Sequence, residues 1–120
     1  MKILALRELE AGESRAVLNP ATVEKLTKLG AEVLVESGLG ITVHFSDADY
    51  TAKGAHIFTD RSAALAQADI VLRLRPPSAT DAAQARAGSI HVGYLEPFGN
   101  KATLEAFAQS GATALSMELI

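Results

Sequence analysis

The chain contains no cysteine and no tryptophan, and aromatic residues make up only 5% of it. The first absence excludes disulfides, thiolate metal sites and a cysteine nucleophile, and fits a reducing compartment. The second leaves the core to Ala, Val, Leu and Ile. No run approaches the roughly 18 consecutive apolar residues that cross a bilayer, and the apolar stretch between Lys2 and Arg7 is too short for a secretory signal. Neither sign of charge dominates: 11 Lys and Arg stand against 14 Asp and Glu, for a net charge of −3. The basic residues are scattered and form no stripe suited to a phosphate backbone, so nucleic acid is not an expected partner.

What remains is the composition of a folded domain. The chain has 120 residues, 48% of them apolar and 21% charged, and a chain of this length buries roughly two-thirds of its unfolded surface. Short apolar runs alternate with helical patterns. The runs are KILALR, AEVLVES, AHIF, DIVLRLR, SIHVGYL and ATALSMEL. Between them lie helix starts with recognisable caps: Asn19 before Pro20, Ser46 with Asp49, Thr59 or Asp60, Ser78 with Asp81, and Asn100. Gly30 and Gly54 mark helix ends, and Pro76 with Pro77 stops the DIVLRLR strand. Strand–helix alternation with short linkers predicts an α/β fold: an open, doubly wound, mainly parallel sheet with helices on both faces, flavodoxin-like or Rossmann-like. The last run reads as a buried strand ending on Leu119 and Ile120 without a polar cap. That is the expectation for a truncated domain.

In such sheets ligands bind at the carboxyl ends of the strands. Arg15 follows the first strand, Arg73 and Arg75 finish the fourth on one face of it, and Glu96 follows the fifth. Arg15 reads either as a solvated loop charge or as a bidentate clamp for a carboxylate or phosphate. Glu96 reads as an acid, a base or a first-turn charge favoured by a helix dipole. His44, His56 and His91 lack metal-ligand spacing, and His91, inside a strand, reads as structural. No metal site and no catalytic residue is assigned. ESGLGIT holds GxG without a third glycine or a following helix, and no GxxxxGK[ST] is present. A complete dinucleotide cradle is therefore not expected here.

The ordered stretch ESR…NPATVEKLTKLGAEVLVESGLG, with FSDADYTAKGAHI, QADIVLRLRPP and ALSMELI, resembles the N-terminal domain shared by alanine dehydrogenase and the alpha subunit of proton-translocating NAD(P) transhydrogenase. The resemblance runs along the whole chain. It departs from the common family pattern at Leu6, where a proline is usual, at Ala16, where valine is, and at Asn19, where threonine is.

In alanine dehydrogenases the resemblance implies a substrate pocket at Arg15, Arg75 and Glu96, with a lysine at position 75 and a catalytic histidine at position 96. The glutamate favours the transhydrogenase branch, because a carboxyl needs a large shift to work as a near-neutral acid-base group. That branch implies hydride transfer between NADH and NADP⁺ coupled to proton movement. NAD(H) would be held in the full-length protein and NADP(H) on a partner subunit, with no cofactor bound by residues 1–120 alone. It also implies that residues 1–120 are one domain whose NAD-binding Rossmann domain lies elsewhere. The expected partners are a second copy, as a homodimer or higher oligomer, and membrane and NADP-binding subunits. The expected location is cytoplasmic, at the inner membrane. The alternatives are the substrate domain of an alanine dehydrogenase-type enzyme, or a non-catalytic binding module.

Overall fold

A computed structural model describes all of residues 1–120. Its strands are β1 (Lys2–Ala5), β2 (Glu32–Glu36), β3 (His56–Phe58), β4 (Ile70–Leu72), β5 (Ile90–Gly93) and β6 (Thr113–Ser116). Every pairing is parallel, and the order is β3-β2-β1-β4-β5-β6. The helices are α1 (Pro20–Lys28), α2 (Asp47–Thr51), α3 (Arg61–Leu65), α4 (Ala79–Ala83) and α5 (Lys101–Ser110). None is long and apolar enough to cross a membrane.

Alternation along β1 divides the core. Ala5 joins Val33, Val35, Val23 of α1 and Tyr50 of α2 on one face. Leu4 and Leu6 join Leu34, Val71 and the α3 residues Ala64 and Leu65 on the other. Phe107 of α5 and Ala82 of α4 extend that second face. The α/β doubly wound fold with helices on both faces is thus present. β1 and β4 lie side by side at its centre, where the strand order reverses.

Local capping follows the sequence at four of five helices. Asn19 Oδ1 accepts from Thr22 N–H, Asp60 Oδ1 from Ala63 N–H, and Ser78 Oγ from Asp81 N–H. Ser46 and Asp49 form a reciprocal box. Asn100 differs: its side chain makes no cap, and Nδ2 donates instead to the carbonyls of Leu95 and Glu96, at 3.2 and 2.9 Å.

Two strand readings need correction. The DIVLRLR strand ends at Leu72, and Arg73 and Arg75 do not share an environment: Arg73 is buried, whereas the Arg75 side chain is 34% exposed. The Glu8 carboxylate ends the run by accepting the N–H groups of Leu74 and Arg75. The final run is an edge strand, not a buried one. It turns into a 3-10 segment at Met117–Leu119, and Leu115, Met117 and Leu119 stay exposed. β6 pairs only with β5, which leaves its outer side without a partner.

The GLG motif has a packing reason. A Cβ on Gly40 would lie 2.6 Å from the Tyr50 ring and 2.7 Å from the Phe45 carbonyl oxygen. Gly40 lets the chain close over Tyr50, whose hydroxyl donates to Leu18 O at 2.8 Å.

Candidate functional site

The carboxyl ends of β1, β4 and β5 carry a cluster of arginines and glutamates. Arg15 sits in the β1–α1 loop with its side chain 61% exposed. Glu13 holds it from two positions back, with Arg15 Nη2 donating to Oε1 at 2.6 Å and Nε to Oε2 at 2.9 Å. Those bonds, with the Arg15 backbone N–H, hold the Glu13 carboxyl down at about 2. Arg75 is held by Glu10 from the same loop, Nε to Oε2 at 2.5 Å and Nη2 to Oε1 at 2.8 Å. Hydrogen bonding to Glu10 raises the Arg75 pKa and lowers that of Glu10.

Glu96 lies 3.6 Å from Arg75 Nη1. Its backbone is left-handed, at φ 48°, which an L-residue adopts only when its surroundings enforce it. Glu118 is one such constraint: its carboxylate accepts the N–H of Leu95 at 3.1 Å and of Glu96 at 3.2 Å. The 3-10 turn after β6 thus reaches back to fix the loop after β5.

Two of the three family-implied residues, Arg75 and Glu96, therefore meet, while Arg15 stands in its own ion pair. Arg75 lines a crevice of about 210 Å³ with Glu10 and Glu13, and another of about 270 Å³ with Arg73 and Asp81. Arg15 lines a third, of about 60 Å³, with Arg7 and Glu8. Glu10 occupies the Nε–Nη2 edge of Arg75, so a carboxylate ligand would have to displace it to be received bidentately on that edge.

Sequence reasoning overlooked the acidic partners. Glu8, Glu10 and Glu13 crowd one loop, and that density of carboxylates beside Arg15 was the available signal. Glu118 gave none, because its partners lie 22 and 23 residues away.

His44 is exposed and left-handed at the end of a 3-10 turn, and His56 is exposed on β3. His91 is buried on β5, 4.9 Å from the Phe107 ring centroid, and neither of its nitrogens has a hydrogen-bond partner. Burial, helped by the Arg73 charge, pushes its pKa down to about 4, so it is neutral at physiological pH. No group of three or more His, Asp and Glu side chains converges in a way that could hold a metal ion.

The family described as "Alanine dehydrogenase/PNT, N-terminal domain" matches residues 4–120. The chain is 34% identical over 120 residues to the NAD(P) transhydrogenase subunit alpha of Cereibacter sphaeroides, covering 100% of this chain and 23% of that protein. It is 31% identical over 120 residues to the alanine dehydrogenase of Mycobacterium tuberculosis, covering 100% of this chain and 32% of that one. The crystal structure of transhydrogenase from Sinorhizobium meliloti superposes with a TM-score of 0.92 at 32% identity, over 100% of this chain and 36% of the other. The chain thus spans about a quarter to a third of the length of the curated relatives it matches.

Proposed function

This chain belongs to the alanine dehydrogenase/PNT N-terminal domain family, and on that premise we propose that it is the N-terminal domain of an NAD(H)-binding transhydrogenase alpha subunit. The longer protein would transfer hydride from NADH to NADP⁺, with NADP(H) on a partner subunit and proton movement in a membrane component. The NAD-binding Rossmann domain would lie outside residues 1–120. The assembly would be a homodimer or larger, at the cytoplasmic face of the inner membrane. Residues 1–120 alone would bind NADH weakly or not at all, since no glycine-rich turn leads from β1 into a helix.

The observation that carries this reading is Glu96. An alanine dehydrogenase needs an acid-base group near neutrality to move the proton of its substrate. Position 96, where the family resemblance puts that histidine, holds a carboxylate 3.6 Å from the Arg75 guanidinium. Direct hydride exchange between two nicotinamides needs no such group. Arg15 and Arg75, each gripped by a glutamate, then shape the loop edge and clamp no substrate.

The test is L-alanine with NAD⁺ and the longer protein. The proposal expects no alanine-dependent NADH formation. Turnover that is abolished by Glu96→Gln would replace it with the amino-acid oxidoreductase reading.

A further inference from the structure

A second feature of the same sheet edge centres on residues that reading does not use, Arg7, Arg73 and Ser78. Between the ends of β1 and β4, at the point where the strand order reverses, lies a crevice of about 270 Å³ lined mostly by charged residues, with Leu9, Pro76 and Pro77 among them. Such switch points are where open α/β sheets receive ligands. The volume suits a small ion with its waters and is short of the range that drug-sized ligands fill.

Four guanidinium groups border it with uneven compensation, and that of Arg75 is held by Glu10, which lines the crevice too. Arg61 is fully engaged: Nη2 lies 2.5 Å and Nε 3.0 Å from the Glu36 carboxylate, Nη1 lies 3.2 Å from Asp81, and Nη2 also reaches Arg7 O at 2.8 Å. Arg73, only 6% exposed, shares that same Asp81 at a longer 3.6 Å, and its buried Nε has no partner at all. Burial, and the charge of Arg61 beside it, pull the Arg73 pKa down. Glu8 faces Arg73 as well, but its Oε1 is taken by two backbone N–H groups and no Glu8–Arg73 contact falls within 4.0 Å. The side chain of Arg7 makes no hydrogen bond or ion pair and lies over Gly38, whose Cβ would sit 3.2 Å from Arg7 Nη1. At the rim, Ser78 Oγ accepts from Asp81 N–H, and its hydroxyl proton remains free to donate.

A buried guanidinium with one long-range carboxylate is under-compensated, because desolvation weighs most on charges that lack a close partner. Arg7 and Ser78 are also donors without acceptors, Arg73 has only its long Asp81 contact, and guanidinium forks match tetrahedral oxyanions well. We propose that this crevice is an oxyanion site, holding one inorganic phosphate-sized anion against Arg73, with Arg7 and the Ser78 hydroxyl completing its ligands. The Glu10–Arg75 pair closes one side of the crevice without supplying its ligands, the Glu13–Arg15 pair lies outside it, and the site stands whether or not the longer protein is a transhydrogenase.

Inorganic phosphate is the probe, titrated into this chain at constant ionic strength with chloride as the balancing ion, and followed by backbone amide NMR shifts at Arg7, Arg73 and Ser78. The proposal expects saturable shifts at these residues that chloride alone does not produce. Arg7→Ala, at an exposed position where folding is spared, should weaken binding by about tenfold, the size of one charge-assisted hydrogen bond. Arg73→Met should abolish it, with circular dichroism checking the fold. Shifts that remain linear in phosphate, or an Arg7→Ala variant that binds as tightly as the parent, would overturn the proposal even if Arg73→Met fails to fold.

Discussion

Glu10 and Arg75, 65 residues apart in sequence, form a two-point ion pair across the loops that follow β1 and β4, with contacts of 2.5 and 2.8 Å. The pair joins the two central strands at the edge where ligands enter and occupies a guanidinium face that a substrate carboxylate would need.

The first prediction follows from that occupancy. Glu10→Gln removes the competing charge and should let Arg75 take up a small carboxylate such as pyruvate at least about tenfold more tightly than the parent chain, since charge-assisted bonds are about twice as strong as neutral ones. Isothermal titration calorimetry of the two proteins checks it. Equal affinity would mean that Glu10 does not hold Arg75 away from ligands in solution.

Helix caps were legible in the sequence because each is made three residues away from its acceptor. Asn19, Ser46, Asp60 and Ser78 all cap as their spacing implies. Asn100 was misread because a tertiary demand won. The left-handed backbone at Glu96 presents two carbonyls to its amide, and no local pattern encodes that. The strand alternation and the parallel sheet were equally legible, since buried parallel strands read as continuous apolar runs. The site was half legible: the arginines and Glu96 stood at the correct edge. Their partners Glu10 and Glu118 did not announce themselves, because ion pairing across loops depends on where the sheet places them.

His91 makes acid stability testable. Its pKa falls from an ordinary 6.5 when unfolded to about 4 in the fold, chiefly through burial. Above pH 6.5 both states are neutral and the fold keeps its full stability. As pH falls from 6.5 toward 4 the unfolded chain takes the proton first, so about 3 kcal/mol of stability is lost over that window. Glu13 and Glu24, held at about 2 by their ion-paired hydrogen bonds, add their own losses only below their ordinary 4.5. Urea unfolding at pH 7 and pH 5 should show the slope, and His91→Leu should flatten it. A parent chain equally stable at both values would contradict the burial of a neutral imidazole.

Gly93 tests the packing beneath the site. A Cβ there would meet Arg73 O at 2.7 Å and Arg73 Cγ at 3.1 Å, so backbone, not only a flexible side-chain end, would have to shift. Gly93→Ala should destabilise the fold by about 1–3 kcal/mol, the range for forcing extra volume into a packed interior. The readout is a lower denaturant midpoint with an unchanged slope. A midpoint within experimental error of the parent would mean that β4 and β5 sit farther apart than described.

The measurement closest to the central claim is hydride transfer from NADH to an NADP⁺ analogue by the longer protein assembled with its NADP-binding partner, with and without Arg15→Ala. Arg15 is already neutralised by Glu13 and touches no reacting atom in this account. Its loss should therefore leave the rate within about tenfold of the parent, a difference of about 1.4 kcal/mol in barrier. Absence of transfer in the parent assembly, or a fall of more than a hundredfold in an Arg15→Ala protein that remains folded by circular dichroism, would contradict it.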